Sequence, residues 1–139
     1  MKNRGGNYNF ACCIYPTAPF IQSKYLEEGL EKLKAGKATT AFSVTTFPYP
    51  IFRALKISDN KRMEMLWPEY HMSRSQDLPE AYHDAGQFYW VDVKKYMEER
   101  KIFSRDAIPV IIPRLLVQDI DTIEDWEFAE KMYNVISND

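Results

Sequence analysis

Two aspartates, Asp119 and Asp121, stand one residue apart in the stretch "LLVQDIDTIEDW" (115–126), where an apolar run gives way to a helical pattern. If the run is a strand, residues i and i+2 share a face about 7 Å apart, with Ile120 between them turned toward the core. Two carboxylates held on one face repel, and a cation relieves the repulsion. Magnesium suits such a pair, because it takes one or two carboxylates and completes its shell with water and phosphate oxygens. Ligands of open α/β sheets also gather beyond the carboxyl ends of strands, where this pair falls. A plainer reading stands beside that one. Thr122 and Asp125 form a near capping box, and acidic residues in a first helical turn favour its dipole. Asp119 lies too early to cap anything, so both readings can hold at once.

The surrounding pattern alternates strand and helix. "NFACCIYPT" (9–17) is a continuous apolar run, as expected of a strand covered on both faces. A turn-rich loop follows, in which Ser23 can cap a helix carrying Leu26, Leu30 and Leu33 on one side, with Gly36 as its stop. "TTAFSVTTFPYP" (39–50) is a second strand, closed by prolines. Strand, helix, strand points to a parallel α/β unit. The middle differs: "IFRALKI" and "RMEMLW" flank "SDNK" as a hairpin, Pro50 to about Trp67. "PEYHMSRSQDLPEAYHDA" (68–85) has no period and reads as a long functional loop. "GQFYWV" restores a strand, and Asp92 can cap a short helix bearing Val93, Tyr96 and Met97. "IPVIIP" and "LLVQDI" supply two more strands. A last helix opens near Thr122 and buries Trp126, Ala129, Tyr133 and Ile136. The fold class is α/β, a mixed sheet with flanking helices and a protruding β-hairpin, in a single domain over 1–139.

Composition excludes several classes. At 139 residues, with 45% hydrophobic and 27% charged residues, the chain can bury a real core. Net charge is −2 and no basic stripe marks a nucleic-acid backbone partner. No apolar run reaches membrane-spanning length, so no membrane partner is expected. The two cysteines, Cys12 and Cys13, are adjacent; on a strand they point to opposite faces and cannot pair with each other. They read as reduced core residues, which favours a cytoplasmic location. His71 and His83 fit no nucleophile or metal constellation; His83 reads as structural and His71 as surface.

In this order, "CCIYPTAPF", "RSQDLPEAYHDAGQFYW", "IFS" and "DIDTIEDWEFAE" resemble the acylneuraminate cytidylyltransferase family, closest to its pseudaminic acid branch, over about Asn9 to Ile136. The resemblance implies an incomplete Rossmann-like nucleotide-diphospho-sugar transferase fold. It implies transfer of CMP from CTP to the anomeric hydroxyl of a nonulosonic acid, with release of pyrophosphate and with Mg²⁺ as cofactor. Asp119 and Asp121 match the family's catalytic, metal-binding aspartates. Tyr15 stands where sialic-acid enzymes carry Gln, which favours pseudaminic acid, although legionaminic and sialic acids stay open on one position. Arg74 and Gln76 match the polar segment facing the sugar, and a guanidinium suits its carboxylate. Asp84 stands where sialic-acid relatives have Asn, Tyr89 follows on the same strand, and Phe103 matches an aromatic contact to the acyl group. The hairpin resembles a dimerisation arm, implying a homodimer, with the arm and sugar-facing loop over about 50–80; Arg53 on it would reach a neighbouring subunit's site. Read without the family, Tyr15 and Phe103 could equally be core aromatics and Arg74 a solvated charge.

One expected part is not found. Family members open with a strand and then a loop rich in glycine and basic residues around the triphosphate, where backbone N–H groups and cations neutralise phosphate. Here "NRGG" (3–6) precedes the first strand instead of following one, and "PTAPFIQS" (16–23) has neither glycine nor a basic residue. The expectation is therefore the C-terminal part of a cytidylyltransferase, inactive alone for want of its CTP-binding loop. The alternative is a non-catalytic homologue that dimerises or binds sugar only. Absent first strands would also leave apolar sheet surface to be covered by self-association or by a separate N-terminal chain.

Overall fold

The computed structural model describes residues 8–136. The string "NRGG" lies outside them. Residues 8–45 and 84–136 form one compact unit, and residues 46–83 form a second.

The first unit is built on a four-stranded sheet in the order β1 (Phe10–Ile14), β5 (Tyr82–Asp92), β2 (Thr40–Thr46), β6 (Ile108–Ile111). β1 runs antiparallel to β5, with Cys12 opposite Trp90, while β6 runs parallel to β2, with Ser43 opposite Val110. The sheet is mixed, as expected. β1 and β2 are not neighbours, however, because β5 is inserted between them and breaks the simple parallel unit read from strand–helix–strand order.

Three helices flank this sheet: α1 (Ser23–Gly36), α2 (Val93–Glu99) and α3 (Ile123–Ile136). Gln22, not Ser23, occupies the N-cap of α1 with no side-chain bond, and the helix runs through Gly36 to end at Lys37, which is left-handed at φ 51°. Gly36 is needed for closeness instead: a Cβ there would fall 2.3 Å from Ile108 Cδ1. Asp92 caps α2 as read, accepting from the Lys95 amide at 3.1 Å.

The core gathers Phe20, Phe88, Val110, Ile112, Leu116 and Ala129, with Ile120, Met132 and Ile136 packed against it. Two expectations fail here for related reasons. Among the described residues β1 lies at the end of the sheet and is not covered on both faces: Ile14 is 49% exposed and Cys13 is exposed instead of core. On α3, Ala129 is buried at 5%, but Trp126 and Tyr133 are 54% and 58% exposed, because Ala129, Met132 and Ile136 form the face that meets the core. "LLVQDI" is not a strand either. A 3-10 turn over Arg114–Leu116 and irregular chain carry it, since the ladder ends after Ile111 and Pro113 donates no backbone bond.

β2 is buried from Thr40 to Thr45 and rich in hydroxyls, and those of Thr40, Ser43 and Thr45 each have a partner. Thr40 Oγ1 donates to Ile102 O at 2.7 Å and Thr45 Oγ1 to Ile112 O at 2.8 Å. Ser43 Oγ accepts both the Gln87 and Phe88 amides at 3.2 Å, replacing a backbone acceptor. Just before β2, Asp106 accepts from the Thr39 amide at 2.9 Å and from Thr39 Oγ1 at 3.2 Å.

The second unit holds the hairpin read in the sequence, shortened to β3 (Leu55–Ile57) and β4 (Met63–Met65). Ser58 closes its turn: its amide donates to Arg62 O at 2.9 Å, its carbonyl accepts the Lys61 amide at 2.8 Å, and its hydroxyl lies within donating distance of Asn60 Oδ1 at 2.6 Å and Arg62 O at 2.9 Å. The stretch expected as a long loop carries 3-10 turns at Pro68–Tyr70 and Ser75–Asp77, and β5 begins already at Tyr82. Phe52 packs its ring on Trp67 and Tyr70 at 5.6 and 5.1 Å between centroids.

Hydrogen bonds from Ser104 first, and then from Thr39, hold the Asp106 carboxyl below the usual carboxylate range. A carboxyl depressed by folding stabilises above its unfolded value of about 3.9 and loses that contribution as pH falls through the lower folded value. In urea unfolding at pH 7, 4 and 3, the advantage of the native chain over Asp106→Asn should therefore shrink with acid. A constant difference across that range would refute the role of this carboxylate.

Candidate functional site

The site is organised by one glycine in β5. Gly86 is left-handed at φ 61° inside the strand, the mark of a bulge at a position that L side chains rarely adopt. The bulge gathers polar groups around it. Asp84 Oδ1 accepts the Gly86 amide at 2.9 Å, and Asp84 Oδ2 accepts from the Tyr89 hydroxyl at 2.5 Å. On its other side, a Cβ at Gly86 would lie 3.6 Å from Asp119 Oδ2, so Asp119 rests its carboxylate against the same turn. Three of the sequence-derived residues, Asp84, Tyr89 and Asp119, thus meet at Gly86.

An aromatic row runs from this point. Tyr15 packs on Tyr89 at 5.2 Å between centroids, Tyr89 on Phe42 at 5.9 Å, and Phe42 on Phe103 edge-on at 5.1 Å. The inner pair is buried, whereas Tyr15 and Phe103 at the two ends are 43% and 66% exposed. Neither end residue is a core aromatic; both present ring surface outward. Burial first, then the bond to Asp84, pushes the Tyr89 phenol well above the ordinary tyrosine range, so it stays protonated and acts as a donor.

Asp121 is exposed, and its place is set by capping. Asp125 Oδ2 accepts from the Asp121 amide at 3.2 Å, the Thr122 amide at 2.9 Å and Thr122 Oγ1 at 2.7 Å, while the Asp125 amide donates to Thr122 Oγ1 at 3.2 Å. The capping box is real, and the Thr122 hydroxyl chiefly lowers the Asp125 carboxyl. It occupies Asp125 and the backbone of Asp121. No carboxylate oxygen of Asp119 or Asp121 accepts a hydrogen bond from a described residue. Among the described residues no group of three or more His, Cys, Asp or Glu side chains is placed to hold a metal ion.

Arg53, Arg74 and Gln76 belong to the unit over 46–83. Arg74 is paired: Nε and Nη2 bond the two Asp77 oxygens at 2.7 and 3.2 Å, on an exposed side chain. An exposed pair contributes about 0–1 kcal/mol, so an incoming carboxylate could exchange for Asp77. Arg53 Nη1 donates to Ser73 O at 3.3 Å, and Gln76 is exposed. His71 is exposed and bonds Pro68 O at 3.0 Å, while His83 packs on Phe47 at 4.9 Å, consistent with surface and structural roles. Burial first, and Cys13 second, push the Cys12 thiol up to about 11, which makes it inert as a nucleophile at neutral pH.

Sequence reasoning missed Gly86, Ser43, Phe42 and Gln87. Gln87 is 2% exposed, donates to Leu116 O, and leaves its own Oε1 without a partner among the described residues. The glycine inside "DAGQFYW" was the one visible signal, since an isolated glycine in a strand pattern suggests a bulge.

No family model matches the chain. Curated relatives do. The chain is 42% identical over 135 residues to the pseudaminic acid cytidylyltransferase of Campylobacter jejuni serotype O:2, and 41% identical over 135 residues to that of serotype O:23/36. Each alignment takes in 97% of this chain but only 58% of the relative's own length. A Helicobacter pylori protein named as a pseudaminic acid cytidylyltransferase and UDP-2,4-diacetamido-2,4,6-trideoxy-beta-L-altropyranose hydrolase is 32% identical over 113 residues, 81% of this chain and 22% of that protein.

Replacing Gly86 by alanine should cost about 1–2 kcal/mol, because the left-handed backbone rather than the ordinary 3.6 Å contact sets the penalty. Gly86→Asn should cost less, since asparagine tolerates that region better. Urea midpoints for the two variants check this, and an unchanged midpoint for alanine would refute the bulge.

Proposed function

We propose that this chain, a homologue of the C-terminal part of the pseudaminic acid cytidylyltransferases, forms the sugar-facing and metal-facing share of a CMP-transferring site. The reaction joins the anomeric oxygen of a nonulosonic acid to the α-phosphorus of CTP. The bond from that phosphorus to the pyrophosphate oxygen breaks, and the hydroxyl proton is released. The observation that carries the reading is the convergence of Asp84, Tyr89 and Asp119 at Gly86, beside the exposed ring of Tyr15.

The roles follow from the chemistry of each group. Asp119 and Asp121 would hold Mg²⁺, which when bound neutralises phosphate charge and orients the nucleotide. Asp84 accepts from hydroxyl or amide N–H groups of the sugar. Tyr15 and Phe103 offer ring faces to its apolar substituents. Within the unit over 46–83, Arg74 offers a guanidinium whose exposed bond to Asp77 a ligand carboxylate can replace. Pseudaminic acid is the sugar favoured by the named relatives and by Tyr15.

On this reading the chain by itself would release no pyrophosphate from CTP: the segment that follows β1, residues 15–22, contains no glycine to bring its amides close to a triphosphate and no cationic side chain to neutralise one. A second reading, a homologue that binds sugar or dimerises without catalysis, is favoured by the same segment. Pyrophosphate release with CTP, Mg²⁺ and pseudaminic acid should be at background for this chain, while calorimetry should register the sugar. Turnover would overturn the missing-cradle argument, and silence toward the sugar would overturn the sugar site.

The hairpin supports a dimer. Register pairs Leu55 with Met65 and Ile57 with Met63, placing four apolar side chains on one face, while Lys56 and Glu64 pair at 3.6 Å on the other. Ile57 is 72% and Met63 61% exposed, and an isolated two-stranded hairpin is only marginally stable. A second copy would cover this face. The chain should elute as a dimer in size exclusion with light scattering, and Ile57→Glu as a monomer; a monomeric parent chain would rule the arm out.

A further inference from the structure

We infer that Tyr89 serves the sugar site through Asp84, as a positioning residue braced by Phe42, and does not itself contact the sugar. This inference rests on the sugar-site reading above and assigns a division of labour within it. The placement of the two groups argues for it. Tyr89 is 4% exposed and Asp84 is exposed, so the carboxylate is the partner presented outward. A phenol has one proton to donate, and that of Tyr89 goes to Asp84 Oδ2 at 2.5 Å. Bonds from a hydroxyl to a carboxylate of this length are among the strong ones.

Both oxygens of Asp84 are thereby oriented, Oδ1 by the Gly86 amide at 2.9 Å and Oδ2 by Tyr89. The phenol in turn has little freedom to leave. Phe42, 9% exposed, lies against the Tyr89 ring at 5.9 Å, and Tyr15 closes the other contact at 5.2 Å. A buried phenol without a partner costs about 1–3 kcal/mol, which holds the hydroxyl on Asp84 when a ligand arrives. The chemistry selected is specific. An ionised carboxylate only accepts, so this arrangement presents a fixed acceptor to a hydroxyl or acylamino N–H of the substrate and disfavours an acidic substituent there.

A double-mutant cycle read by calorimetry with pseudaminic acid and the full 139-residue chain tests the assignment. Tyr89→Phe keeps the ring and removes only the proton donor; it should weaken binding about tenfold in the native background. In an Asp84→Ala background it should cause no further loss, because the group it acts through is gone. Additive losses would mean that Tyr89 touches the sugar directly and would overturn this inference alone. Failure of the native chain to bind pseudaminic acid would overturn the sugar-site reading and this inference with it. Nuclear magnetic resonance supplies a readout independent of ligand: a slowly exchanging Tyr89 hydroxyl proton in the native chain, lost in Asp84→Ala. Its absence from the native spectrum would overturn the pairing, and where Asp84→Ala binds too weakly to complete the cycle, this signal decides.

Discussion

The left-handed turn at Gly86 is the constraint on which the rest of the site depends. A strand that turns at one residue leaves amides out of register with its neighbour, and buried amides must find acceptors. Two different side chains meet that need. Asp84 takes the Gly86 amide, and Ser43 takes the next two amides with a single oxygen. The hydroxyl-rich β2 is therefore the counterpart of the bulge in β5, and an apolar residue at 43 would leave two buried donors unmet. The same turn brings Asp119 to its far side. One backbone conformation thus brings together the Asp84 acceptor, the buried Tyr89 phenol and, from a distant part of the chain, the Asp119 carboxylate.

Much of this was legible in the sequence, and the failures have physical causes. The hairpin, the Asp92 cap and the Thr122–Asp125 box were readable because each is set by neighbours within a few positions. Strand β2 was readable from its β-branched run. The covering of β1 was misjudged, because an apolar run does not say whether its strand lies in the middle or at the edge of a sheet. That depends on β5, which comes about seventy residues later in the chain and occupies the place beside it. Trp126 and Tyr133 were misassigned for a similar reason: α3 has two apolar stripes, and only tertiary packing selects Ala129, Met132 and Ile136 as the inner one. The resemblance named Asp84, Tyr89 and Asp119 one by one. The bond between the first two and the glycine that joins all three are geometric facts with no counterpart in spacing.

The outward-facing apolar residues have two distinct settings. On the hairpin they follow a strict alternation, apolar on one face and an ion pair on the other, which is what a surface meant for covering requires. On α3, Trp126 and Tyr133 instead line a groove of about 480 Å³ with Pro19, Ile120 and Ala129. Ile120 sits between the two aspartates and also packs against the core, so that groove shares a wall with the segment carrying them.

The electrostatics of the site explain why, on the proposed reading, sugar and triphosphate need different kinds of surface. Asp84, Asp119 and Asp121 make this end of the sheet acidic, and the chain as a whole carries a net charge of −2. Two unit charges 4 Å apart near a protein surface interact by about 4 kcal/mol, so each phosphate oxygen approaching an unscreened carboxylate pays a penalty of that order. The hydroxyl and acylamino groups of a sugar meet no such barrier, because they donate to the same carboxylates, whereas a sugar's own carboxylate needs a cation as a phosphate does. A divalent cation between Asp119 and Asp121 would reverse the sign for one phosphate but not for a whole triphosphate. The remaining negative charge calls for amides and cations, and residues 15–22, which follow β1, contain no glycine and no cationic side chain. Groups that accept from sugar hydroxyls and groups that cradle phosphate are therefore separate requirements.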